Sequence, residues 1–171
     1  MGIARPAPDT GDMQREGTKR RTADFGLDVV GWREWVALPA FSERRIKAKI
    51  DTGARTSAIH AHGLELDADG DVTIARFQLL TAQGSTLDGI PVEAQVLGER
   101  LVRSSNGVDE MRPVIQTDLT LGADTWSVEV TLSDRELMGF RVLIGRTALR
   151  NRFLVDANRS FCSVAETEDN S

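Results

Sequence analysis

Cysteine is all but missing from this chain of 171 residues. Cys162 stands alone, so no intrachain disulfide can form and nothing favours an oxidising compartment. Histidine is nearly as scarce. His60-Ala61-His62 would set both imidazoles on one face of a strand. A zinc site needs at least a third protein ligand, and no His-Glu-x-x-His occurs, so no metal is expected. No glycine is followed by lysine, which excludes a P-loop. No apolar run approaches the roughly 18 residues of a membrane span, and Met1 to Pro6 lacks the apolar centre of a secretory signal. A formal net charge of −5 argues against nucleic acid as the main partner. Lysine is rare too: Lys19, Lys47 and Lys49 are the full set, and every other basic residue is arginine, whose planar fork suits carboxylates. These absences leave a soluble cytoplasmic protein, free of membrane, nucleic acid and cofactor, as the expectation.

What is present reads as strands. Residues 1–26 mix Pro, Gly and the cluster Lys19-Arg20-Arg21 without any apolar period, and are expected to be a disordered tail. The domain is expected over 27–164, with 165–171 an acidic tail. Arg45 to Ile50 alternates strictly, Ile46, Ala48 and Ile50 facing one side and the lysines the other, which predicts a half-buried strand. Further strands are predicted over Trp32–Leu38, Thr56–Ala61, Thr73–Leu80, Pro91–Leu97, Met111–Leu121, Trp126–Leu132, Phe140–Ile144, Phe153–Val155 and Ser160–Val164. Asn106-Gly107 signals a hairpin. Arg146 to Arg152 is the one predicted helix. The fold class is therefore all-β with one short C-terminal helix.

One strand ends in a reactive group. Ile50-Asp51-Thr52-Gly53-Ala54 puts an aspartate at the rigid end of an apolar strand, where glycine allows a sharp turn and a small residue keeps the site open. The tripeptide alone is weak, since Asp9-Thr10-Gly11 repeats it after Pro6-Ala7-Pro8, away from any strand. The later copy has company: Ser57, the Asn106-Gly107 hairpin, and Ile144-Gly145-Arg146 before the helix. In these features the sequence resembles retropepsin-like aspartic proteases. Gly31-Trp32-Arg33-Glu34-Trp35, the run Ile46 to Ala58, Glu110 to Val114 and Met138 to Arg141 narrow the resemblance. They are similar to the bacterial ATP-dependent zinc protease family, retropepsin-like domains associated with ATP-grasp glutamate ligases.

The resemblance implies an acid-protease barrel and an aspartic peptidase built as a homodimer, with Asp51 from each copy at a two-fold axis. It implies catalytic roles for Asp51, Thr52 and Gly53 and substrate contacts for Ala54, Arg55, Ser57, Arg103 and Arg112. Ile144, Gly145 and Arg146 would support the site, and the hairpin from Arg103 to Arg112 would cover the cleft. One position departs from the viral pattern: Arg55 stands where an aspartate commonly pairs with the arginine of Gly-Arg. Arg146 must then find another carboxylate or a backbone carbonyl. Arg55, Arg103, Arg112 and Arg146 together would select acidic, Glu-rich peptides. Two rival readings stay open: a non-catalytic module that binds acidic peptide or a glutamate-ligase partner, and a zinc-dependent hydrolase. Cys162, without a nearby histidine in sequence, reads as a structural residue of the last strand and not a nucleophile.

Overall fold

Alternation of apolar and polar side chains turns most of this chain into strands. A computed structural model describes residues 26–82, 89–103, 107–134 and 139–163. Among them run β1 (Asp28–Gly31), β2 (Arg33–Leu38), β3 (Ser42–Asp51), β4 (Ser57–Asp69), β5 (Val72–Leu80) and β6 (Gly89–Gln95). There follow β7 (Gly98–Arg103), β8 (Asp109–Leu121), β9 (Asp124–Ser133), β10 (Val142–Gly145), helix α1 (Arg146–Leu149) and β11 (Phe153–Asp156). The expectations for residues 1–25, Ser104 to Asn106 and 164–171 lie outside the described residues.

A barrel closes through one short strand. The pairing order β10-β3-β2-β8-β9-β4 returns to β10, which lies parallel to β3 and antiparallel to β4. These six strands form a ring without an open edge, as expected of an all-β acid-protease barrel. β10 can occupy the inside of this arrangement because Val142 and Ile144 are fully buried. They meet Ile46 and Ala48 of β3 and Ile59 of β4 in one core, with Ile115, Leu119, Val130 and Leu132 of β8 and β9. β4 runs on beyond the barrel to pair with β5, which carries β6. β7 pairs with β8 as a hairpin that the sequence patterning only partly signalled through Gly107.

The last segment differs from expectation. Residues 160–163 form bends and turns where a strand was predicted, and Phe161 adopts a left-handed backbone, φ 55°. The cause is Glu34. Period-2 alternation places it with Val36 and Leu38 on the buried face of β2, and it is 0% exposed. Its carboxylate accepts hydrogen bonds from Gly31 N (2.6 Å), Cys162 N (2.8 Å), Ser163 N (3.2 Å) and Ser163 Oγ (2.7 Å). A buried carboxylate must be satisfied, and the segment curls to satisfy it. Gly31 permits the close approach, since a Cβ there would fall 2.3 Å from the carbonyl oxygen of Arg159. Helix α1 is also shorter than the predicted Arg146–Arg152, because Arg150 leaves the helical region at ψ 133° and Asn151 then turns left-handed at φ 62°.

Glu34→Ala is expected to lower the unfolding free energy by at least about 3 kcal/mol, since bonds to a charged acceptor contribute about 1.5–3 kcal/mol and orphaned buried donors cost a similar amount. Urea denaturation measures it. A midpoint equal to wild type would show that the terminal segment is held by something else.

Candidate active site

β3 delivers Asp51 to the rim of the barrel and β4 departs from Ser57, so residues 52–56 form a tight loop between them. Asp51 Oδ1 accepts the backbone N–H groups of Gly53 (3.0 Å) and Ala54 (3.1 Å). Oδ2 lies 3.8 Å from Lys49 Nζ, and the Asp51 side chain keeps 25% of its surface exposed. One carboxylate oxygen is thus fixed and the other faces outward with a cation beside it. Lys49 was not singled out from sequence, although it sits two residues before Asp51 and so on the same strand face.

The loop is held from behind. Its four carbonyls from Thr52 to Arg55 all end on two consecutive residues, Arg146 and Thr147. Arg146 Nη1 donates to Thr52 O (3.0 Å) and Gly53 O (2.7 Å), and Arg146 N donates to Ala54 O (2.9 Å). Thr147 gives its N–H (3.1 Å) and Oγ1 (2.9 Å) to Arg55 O. With every carbonyl turned toward this clamp, the N–H groups of Gly53 and Ala54 are left to grip Asp51. Arg146 therefore finds backbone carbonyls, one of the two outcomes that Arg55 beside the motif required.

Gly145 makes the close approach possible. It pairs with Asp51 across the parallel β10–β3 ladder, and its φ of −87° suits any residue. Space is what demands glycine: a Cβ would lie 2.5 Å from the carbonyl carbon and oxygen of Thr56 and 3.0 Å from the carbonyl carbon of Arg55. Its N–H donates to Ser57 Oγ at 3.1 Å. Ser57 is wholly buried, and its own carbonyl accepts from Thr131 Oγ1 at 3.2 Å. The expected substrate contact for Ser57 is thus replaced by a supporting role, because its hydroxyl is inside the barrel wall.

The other residues singled out are spread more widely. Thr52, Gly53 and Arg55 are exposed, Ala54 is half-buried, and Ile144 is buried in the core. Arg103 and Arg112 belong to the β7–β8 hairpin. There Arg103 pairs with Asp109 (2.9 Å) and Arg112 with Glu110 (2.9 Å), and neither makes a hydrogen bond or ion pair to the Asp51 loop. Of the expected quartet of site arginines, Arg103 and Arg112 are thus engaged by acids of their own hairpin. His60 is buried with its Nδ1 unpartnered, and its ring stacks on His62 at 6.2 Å. Among the described residues no group of three His, Cys, Asp or Glu is placed to hold a metal. Cys162 is half-buried in a turn and not in a strand; burial pushes its thiol up, with Arg159 opposing. A thiol so shifted is a poor nucleophile at neutral pH.

Arg146→Met is expected to cost about 1–2 kcal/mol by removing two charge-assisted bonds at an exposed site. Amide exchange at Gly53 and Ala54 should accelerate at least tenfold; unchanged exchange would mean that the clamp does not order the loop.

Comparison with known proteins identifies the family and the fold. The family model described as RimB-like, retropepsin-like aspartic endopeptidase RimB, matches residues 29–166. A probable alpha-L-glutamate ligase of Shewanella pealeana is 42% identical over 135 residues, covering 78% of this chain and 29% of the ligase. One of Parasynechococcus marenigrum is 38% identical over 132 residues, covering 77% and 28%. The chain thus spans less than a third of the length of these curated relatives. The crystal structure of a Legionella pneumophila protein of unknown function superposes with TM-score 0.64 at 22% identity, over 80% of this chain and 98% of that one, which shows a shared fold. No helix among the described residues is long and apolar enough to cross a membrane.

Proposed function

The chain belongs to the RimB-like family of retropepsin-like aspartic endopeptidases, and from that membership we propose that it is a cytoplasmic aspartic peptidase whose site is completed by a second copy. The observation that carries this reading is Asp51 itself, with one oxygen pinned by two N–H groups and the other open at the rim of the barrel. A single carboxylate cannot both activate water and polarise a carbonyl. Two of them sharing one proton can, because like charges a few ångströms apart do not both ionise. The exposed Thr52 and Gly53 give the loop a face on which a symmetric copy can set its own Asp51 opposite.

The reaction then follows. The ionised carboxylate takes a proton from water as the water oxygen bonds to the scissile carbonyl carbon. The protonated partner donates to the carbonyl oxygen. Collapse of that intermediate breaks the C–N bond, and the amine leaves with a proton from the dyad. Acidic, Glu-rich peptides are the substrate class in this reading, supported by Lys49 beside Asp51 and by exposed Arg55. The ligase names of the longer relatives support a glutamate-ligase partner. Those same names favour the alternative, a module that binds acidic peptide or a ligase without cutting.

Mass spectrometry of neutral and Glu-rich peptide libraries after incubation decides between them. New termini are expected with wild-type protein and not with Asp51→Asn. Cleavage by both proteins, or by neither, overturns the peptidase.

A further inference from the structure

Arg55 shares a groove with arginines other than the three that the sequence grouped with it. An open groove of ≈ 450 Å³ begins at Arg55 and Thr56 of the Asp51 loop and takes in Arg100 of β7, Arg150 and Arg152 beyond α1, and Trp126 of β9. Among the described residues its only acid is Glu129, which Arg100 holds at 2.6 Å. Arg55 and Arg150 carry no side-chain hydrogen bond or ion pair among the described residues. Arg152 lies over the Trp126 ring at 4.9 Å and pairs with no carboxylate among the described residues. A chain of net charge −5 has thus gathered around one concavity several guanidinium groups that no acid among the described residues compensates. Like charges held this close repel one another unless an anion joins them.

We propose that this groove seats the acidic residues of a peptide lying beside the scissile bond. The proposal rests on the peptidase reading for its substrate and adds the place where that substrate is gripped. Arg55 stands four residues from Asp51, so at most about 14 Å of chain separates the groove from the carboxylate. A peptide cut at Asp51 reaches it within a few residues. Guanidinium forks match carboxylates bidentately, and Ser127 in the lining, whose oxygen accepts from Gln116 Nε2, keeps its hydroxyl proton to donate. A nucleic acid fits less well. Binding single strands relies on open aromatic faces for stacking, and Trp126 is covered by Arg152 and packs against Phe153, with ring centroids 5.7 Å apart.

The test uses the full chain carrying Asp51→Asn, so that bound peptide is not consumed. Anisotropy of a labelled hexaglutamate peptide should report saturable binding that weakens with salt. Adding Arg55→Gln, Arg150→Gln and Arg152→Gln together should raise Kd at least tenfold and flatten the salt dependence. Arg45→Gln, on the exposed part of β3, should leave Kd within twofold. Circular dichroism checks folding of the triple variant. Should it fail to fold, Arg55→Gln and Arg150→Gln singly are each expected to raise Kd about threefold. Unchanged affinity in these variants, no binding of hexaglutamate, or tighter binding of a single-stranded oligonucleotide through the same arginines overturns the groove. If wild type cleaves Glu-rich peptides while the arginine variants bind normally, the groove falls and the peptidase stands. If nothing is cleaved but the arginines govern binding, the groove stands and the peptidase falls.

Discussion

Asp51→Asn is expected to lower kcat/KM on any cleaved peptide by at least about 10³-fold while leaving the fold in place. Each half of general acid–base catalysis contributes about 10²–10⁴-fold, and the amide can perform neither. The fold survives because the side-chain oxygen of asparagine still accepts the N–H groups of Gly53 and Ala54, the two bonds that Asp51 Oδ1 makes. Thermal melting should therefore move by only a few degrees. Mixing sharpens the result. In an equilibrated equal mixture of wild-type and variant chains, about a quarter of dimers would carry two aspartates. Specific activity near a quarter of the undiluted value means that both copies are needed; a value near half means that each copy works alone. Residual activity of a tenth or more in pure Asp51→Asn protein would sink the two-carboxylate mechanism.

Gly145→Ala should do the opposite, damaging the framework while leaving every catalytic atom in the sequence. The added methyl group would meet the backbone of Thr56 at 2.5 Å and of Arg55 at 3.0 Å, and backbone cannot rotate aside as a side chain can. Inserting a carbon into packed structure costs about 1–3 kcal/mol, occasionally more. Here the loop must also retreat from Arg146 and Thr147, and Gly145 N must leave Ser57 Oγ. The expected loss is about 3 kcal/mol in urea unfolding. Activity should fall at least about 100-fold, since a shift of about 1 Å in a reacting group can cost that much. A variant as stable and active as wild type would show that the loop is softer than its hydrogen bonds imply.

Much of this site was legible in the sequence because its signals are local. The alternation of Ile46, Ala48 and Ile50 located β3, and the strand's end located Asp51. Gly145-Arg146 was recognisable by its motif, and the departure at Arg55 already required another carboxylate or a backbone carbonyl as the partner of Arg146. What was missed depends on partners far along the chain. Nothing local shows that β10 lies between β3 and β4, so the burial of Ser57 behind Gly145 was hidden. Glu34 could have been found, since alternation sets it among Val36 and Leu38, but its donors come from Cys162 and Ser163. The segment after Arg159 looked like a strand because apolar and small residues alternate there; the carboxylate's demand for N–H donors overrode that preference. The arginine groove joins a loop, a helix end and two strands, a grouping that only tertiary structure creates.

The clamp on the Asp51 loop also has a timetable. Arg146 follows Thr52 by 94 positions, and Cys162 follows Glu34 by 128. A ribosome adding about 5–20 residues each second delivers Arg146 roughly 5 to 20 s after Thr52. Until then the loop carbonyls lack the clamp, β3 and β4 have no strand between them, and of its donors Glu34 has only the nearby N–H of Gly31. Pairings of such long sequence separation also form slowly once the chain is complete. A nascent chain therefore carries Asp51 long before it carries the clamp that orders the loop around it.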